Sequence, residues 1–108
     1  MAVNYKVLGQ SAPSATSNTD VYTVPSATQA VVSTISVCNR STSTTFRIAI
    51  RPGGATLANQ HYVVYDNYVN QYDTVFITIG ATLAATDVIT VYAGAANLSF
   101  SVFGSEIA

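Results

Sequence analysis

Few side chains in this sequence carry chemistry, and their spacing defines no reaction centre. His61 is the single histidine and Cys38 the single cysteine. A zinc site draws on three or four such ligands, and the carboxylate nearest to His61 in sequence is Asp66. As a strand residue, His61 is expected at the surface or in an interface. Cys38 can form no internal disulfide, and a small, buried or half-buried apolar role is expected for it. Asp20, Asp66, Asp73, Asp87 and Glu106 stand singly near expected strand ends. Aspartate at turns ordinarily accepts backbone hydrogen bonds, whereas glycoside hydrolysis needs paired carboxylates. The spacing of a calcium loop is absent, as is a Gly-x-Ser-x-Gly elbow. Pro52-Gly53-Gly54 lacks the lysine and helix of a phosphate loop and reads as a turn. Asn39-Arg40-Ser41 and Asn97-Leu98-Ser99 match a glycosylation pattern short enough to arise by chance. The expectation is a chain without catalytic residues, metal or cofactor.

The chemistry of contact is better represented. Tyr62, Tyr65, Tyr68 and Tyr72 are clustered, and Arg40, Arg47 and Arg51 precede them. Tyrosine and arginine dominate the anchor positions of protein interfaces, so these seven residues are the candidate interface group. Aromatic faces also suit sugar rings, which makes a glycan-stacking patch the alternative. Tyr68 is expected in a loop between strands.

Composition points the same way. Hydrophobic residues make up 49% of the 108 positions, but charged residues only 8%, against about 25% in an ordinary globular chain. A monomer usually keeps itself soluble with surface charge. Here the surface must be built from Ser, Thr, Asn, Gln, Tyr and Ala, a covering that costs little to desolvate against other protein. A net charge of −1 provides no basic stripe for nucleic acid, and no basic amphipathic segment suggests a membrane surface. No stretch is long and apolar enough for a membrane helix. Met1 to Pro13 shows no apolar leader segment, so synthesis in a cytoplasm is expected.

The elements that must position these residues are strands. Val and Thr number 14 each, and β-branched and aromatic residues favour extended structure. Alternation between turn signals predicts strands over Tyr5–Leu8, Asp20–Val24, Gln29–Asn39, Thr44–Arg51, His61–Tyr65, Thr74–Ile79, Asp87–Ala93 and Leu98–Phe103. Gly9–Asn18 reads as a connection, and Asp66-Asn67, Gly80 and Gly104 as strand ends. Val31, Ile35 and Val37 are expected on one face. Phe46, Ile48 and Ile50 are expected inside, with Arg47, Ala49 and Arg51 outside. Gly54–Ala58 and Gly80–Ala84 repeat the same five residues and read as two similar connections. The length suits a single domain, with residues 1–19 as an N-terminal strand or arm and connection, and 20–108 as the sandwich proper. Clean alternation implies antiparallel sheets. The predicted fold is an all-β antiparallel sandwich of about eight strands, of immunoglobulin-like or jelly-roll type.

Several segments, in order, carry a resemblance. These are Tyr22-Thr23-Val24-Pro25, the strand ending Val37-Cys38-Asn39-Arg40, Phe46 to Pro52, Tyr62-Val63-Val64-Tyr65-Asp66, Leu83 to Tyr92, and Leu98 to Ile107. Together they resemble small virion proteins of tailed bacteriophages, especially phages of aquatic bacteria and cyanobacteria, over residues 20–107. The resemblance implies a structural protein of the virion without enzyme activity. The expectation is a capsid decoration (cement) protein that binds copies of itself, as a trimer, and the major capsid protein or other virion proteins. A tail or fibre module binding host-surface glycan is the alternative.

Overall fold

The computed structural model describes residues 2–108. Eight strands form, β1 (Val3–Ser11), β2 (Thr19–Thr23), β3 (Gln29–Asn39), β4 (Thr44–Arg51), β5 (Tyr62–Val69), β6 (Thr74–Leu83), β7 (Val88–Ala93) and β8 (Leu98–Ile107). They make two four-stranded antiparallel sheets, ordered β1-β8-β3-β6 and β2-β7-β4-β5. Apart from the β4–β5 connection, every link carries the chain from one sheet to the other. That order is the jelly roll rather than the immunoglobulin arrangement. β1 pairs with β8 along its length, so the segment before residue 20 is built into the sandwich.

Inner-face residues make the core. Phe46, Ile48, Ile89 and Val91 of one sheet meet Val32, Ile35, Val37, Leu98, Phe100 and Val102 of the other, all essentially without solvent contact. The Phe46 and Phe100 rings pack edge to face, 6.1 Å apart, a geometry favoured by the ring quadrupoles. Each such buried side chain contributes about 1.5–3 kcal/mol.

Three strand ends expected at glycines are not ends. β1 runs on through Gly9 to Ser11, β6 passes Gly80 to Leu83, and β8 passes Gly104 to Ile107. Gly80 takes φ +59° within a bulge. At Gly104 an added Cβ would overlap the Val31 carbonyl oxygen on the neighbouring strand. The glycine therefore serves close approach rather than a turn. The repeated five residues also diverge, since Gly54–Ala58 lies in the β4–β5 connection while Gly80–Leu83 is strand. Alternation in β3 is broken at Ser33, which bulges against both neighbours; its hydroxyl donates to the Phe103 carbonyl. Consequently Val31 lies outside while Ala30, Val32, Ile35 and Val37 lie inside. Extra residues fall at the same level at Leu8 in β1 and at Ile79-Gly80 in β6. A line of irregularity thus crosses the whole sheet.

Polar links also join the sheets: Asn39 Nδ2 on β3 donates to the Val69 carbonyl on β5 at 3.2 Å, and an ionised link lies at the β2–β8 side. Tyr22 on β2 donates its hydroxyl to Glu106 Oε2 on β8 at 2.6 Å, and Lys6 Nζ lies 2.9 Å from Oε1. The Tyr22 hydroxyl first, and then Lys6, hold the Glu106 carboxyl below the usual carboxylate range. Burial, reinforced by the carboxylate, pushes the Tyr22 hydroxyl well above the ordinary tyrosine value. A depressed carboxyl stabilises the fold fully above its unfolded pKa of about 4.3, and this contribution disappears as pH falls from there through the folded value. Tyr22→Phe is expected to cost about 1–3 kcal/mol in urea unfolding at neutral pH. Glu106→Gln should remove that acid-side portion of the stability–pH curve. An unchanged acid limb in Glu106→Gln would show that the link carries no such stability.

Candidate functional site

The outer face of the β2-β7-β4-β5 sheet gathers most of the arginine and tyrosine. Arg47 sits on β4 with Tyr92 of β7 directly opposite. On its other side β5 is irregular. Phe46 pairs with Asn67 and Ile48 with Val64, so both Tyr65 and Asp66 stand against Arg47. Asp66 takes φ +51°, a conformation Asp tolerates better than most residues. The bulge therefore gives Arg47 two partners at once. Its guanidinium carbon lies 4.3 Å from the centre of the Tyr65 ring and 4.3 Å from that of Tyr92. In addition, Nε donates to Asp66 Oδ1 at 2.6 Å and Nη2 to Oδ2 at 3.3 Å. Tyr62 meets Tyr65 edge to face at 4.9 Å. The Asp66 carboxylate raises the already high pKa of Arg47, so the cation is permanent.

This is a plate of π-stacked and ion-paired groups with one open ring. Tyr65 remains 58% exposed. The planar guanidinium fixes the spacing of the two tyrosines, which a lysine could not do. Tyr68 belongs to β5, not to a loop, because the strand continues past Asp66-Asn67 through the bulge. It is also 58% exposed and pairs with Thr45 on the same face. Tyr72 lies in the following turn at 73% exposure.

Arg51 and Arg40 stand apart from this plate. Arg51 donates to Thr90 Oγ1, Asp20 Oδ1 and the carbonyls of Gly54 and Ala55, which fastens the β4–β5 connection to β7 and β2. Arg40 lies beyond β3 and reaches the Ala96 carbonyl at 3.4 Å. The structure thus brings Arg47, Tyr62, Tyr65 and Tyr68 to one face and adds Asp66 and Tyr92, which sequence reasoning did not place there. Tyr92 could have been found from the outward parity of β7. Asp66 could not, because Asp-Asn reads equally well as a strand end.

Other chemistry-bearing residues have structural work. His61 is buried rather than superficial. Its Nδ1 accepts the Ala58 N–H at 3.0 Å, closing the 3-10 turn before β5. Asp87 accepts from the backbone N–H groups of Gly53 and Ala84, and Asp73 from that of Thr74. Cys38 is half-buried on the outer side of the other sheet. Among the described residues, no three His, Cys, Asp or Glu side chains come together as a metal site. An open groove between the β2–β3 and β6–β7 turns is lined by Ala27, Thr28, Gln29, Ala84, Ala85, Ile107 and Ala108, none with an ionisable side chain.

Comparisons of the chain with protein-family models, with curated proteins and with solved structures return no match. The fold and the plate define a jelly-roll domain with a partly exposed tyrosine–arginine cluster on one face.

Replacing Arg47 with Gln removes the planar spacer between the rings. The near-ultraviolet circular dichroism of the tyrosines is expected to change while the far-ultraviolet strand signal persists. A near-ultraviolet spectrum identical to that of the parent would show that the stack is not held in solution.

Proposed function

We propose that this chain is a non-enzymatic structural subunit of a bacteriophage particle, a decoration protein that stabilises the shell by binding capsid protein and copies of itself. The observation that carries the reading is where the charge goes. Lys and Arg number four and Asp and Glu five, and six of these form three internal ion pairs, Lys6–Glu106, Arg47–Asp66 and Arg51–Asp20. Asp73 and Asp87 are occupied with turn backbone. Outside these pairs the broad faces are left to hydroxyl, aliphatic and tyrosine groups. Such faces lose little on desolvation and gain by burial.

The jelly roll is compatible with this role, since shell proteins use it, but lectins and small-molecule enzymes use it too. The resemblance to phage virion proteins and the neutral surface supply the choice among them. In the proposed mechanism the sandwich is a rigid block, and the Arg47 plate with Tyr65 and Tyr68 presents pre-ordered rings to the shell. Ordering them beforehand lowers the entropy lost on binding.

Sedimentation with particles of the parent phage stripped of this protein tests the proposal. The wild-type chain should co-sediment and saturate. Loss of two anchors of this kind is typically worth ~2 kcal/mol or more, so Tyr65→Ser with Tyr68→Ser should weaken binding at least about tenfold. No co-sedimentation of the wild type, or undiminished binding by the double variant, refutes the assignment.

The open face of Tyr65 beside Asp66 also favours a second reading, a glycan-binding module on a tail or fibre. Ring stacking with a neighbouring carboxylate acceptor is the chemistry a sugar requires. Saturable binding on a glycan array, lost in Tyr65→Ala and Tyr68→Ala, would select it over the shell contact.

A further inference from the structure

The outer side of the β1-β8-β3-β6 sheet carries no ionised side chain. Lys6 and Glu106 are the only charged residues in its strands, and both turn inward to each other. A sheet of this kind has two edges, as does its partner, and an unpaired edge invites another strand. Three of the four edges are guarded. β1 carries Lys6 and a bulge, and it lies against β2. β2 is five residues long, irregular, and bears Asp20. β5 is broken by two register shifts and bears Asp66.

β6 is different. Among the described residues its only sheet neighbour is β3, and it contains no charge and no proline. Between Asp73 and the Ile79-Gly80 bulge it offers five residues in regular register, Thr74-Val75-Phe76-Ile77-Thr78. That is the composition of a segment that pairs with copies of itself, being β-branched, neutral and free of proline. Phe76 stands on the outer side at 68% exposure, with Ser36 as its register partner on β3.

The geometry points to a second copy of this chain on the β6 edge, paired antiparallel about a two-fold axis through Phe76. In that register Phe76 faces its own copy, Thr74 faces Thr78, and Val75 faces Ile77. Each cross-strand pair is then of like chemistry, aromatic with aromatic, hydroxyl with hydroxyl and aliphatic with aliphatic, which are favourable combinations across strands. The register centred on Ile77 would instead set Phe76 against Thr78 and Thr74 against Gly80. Self-pairing about a two-fold axis puts identical residues near one another, so a charge at its centre would repel itself. This segment has none. The product is a continuous eight-stranded sheet with an isologous, closed interface. This contact needs no virion and is separate from the Arg47 plate. It closes at two copies, in contrast to the trimer expected from the resemblance.

Two measurements test it. In a Cys38→Ser background, Phe76→Cys should form an intermolecular disulfide under mild oxidation. Residues facing each other across antiparallel strands have Cα atoms about 4.5–5.5 Å apart, within disulfide reach. Thr78→Cys, which faces Thr74 rather than itself, should cross-link at least about tenfold more slowly. Equal cross-linking at the two positions, or none at Phe76→Cys, overturns the register. Light scattering after size exclusion, at high-micromolar chain concentration, should give the wild type twice the chain mass of 11.3 kDa and Phe76→Lys a single chain mass. Phe76 is too exposed for Lys to disturb the core, and Thr78→Lys offers a second route to the same disruption. A wild-type monomer or trimer, or a Phe76→Lys chain that keeps the wild-type mass, overturns the proposal. Particle binding by Phe76→Lys reports on the shell contact alone, so the two readings fail independently.

Discussion

The arrangement rests on the closure of two sheets over one layer of interdigitated apolar side chains. Phe46 and Phe100 touch across that layer, and Val, Ile and Leu fill the space around them. Once the inner positions are claimed by these residues, strand alternation assigns everything else to the outside. In most proteins that outside would be charged. Here it falls to Ser, Thr and Tyr with a few aliphatic residues, and the surface properties follow from that assignment.

Much of this order was legible in the residues. β3 and β4 begin and end where alternation places them, and Phe46 and Ile48 point inward as their parity demands. Phe100 and Val102 do the same in β8. What escaped was every departure from period two. Ser33 and the Ile79-Gly80 pair shift the register without any signal that separates a bulge from a turn. Gly104 looks like a stop but is a close approach, visible only once Val31 is known to lie beside it. The choice of jelly roll over immunoglobulin-like topology was equally hidden, because pairing between distant strands leaves no mark on local pattern.

The tyrosine–arginine cluster shows the same division. Arg40, Arg47, Arg51, Tyr62, Tyr65, Tyr68 and Tyr72 were singled out by residue type, and of these Arg47, Tyr62, Tyr65 and Tyr68 share one face. Their joint geometry depends on a single irregularity, the two-for-one step that sets Tyr65 and Asp66 against Arg47. Without it, alternation would send one of those two side chains to the opposite face. A local fault in the ladder therefore assembles the most ordered cluster on the surface. Arg51 shows the converse, an arginine of the same strand and parity whose donors are spent on Thr90, Asp20 and two carbonyls.

The uncharged outer face of the β1-β8-β3-β6 sheet has a thermal and ionic consequence. Attraction between such surfaces is supplied by released water rather than by counterions, so brine leaves it intact where it would screen an electrostatic clasp. Apolar association weakens on cooling and is reinforced by sulfate or phosphate. An association made through this face would hold through swings in salinity and loosen first in the cold.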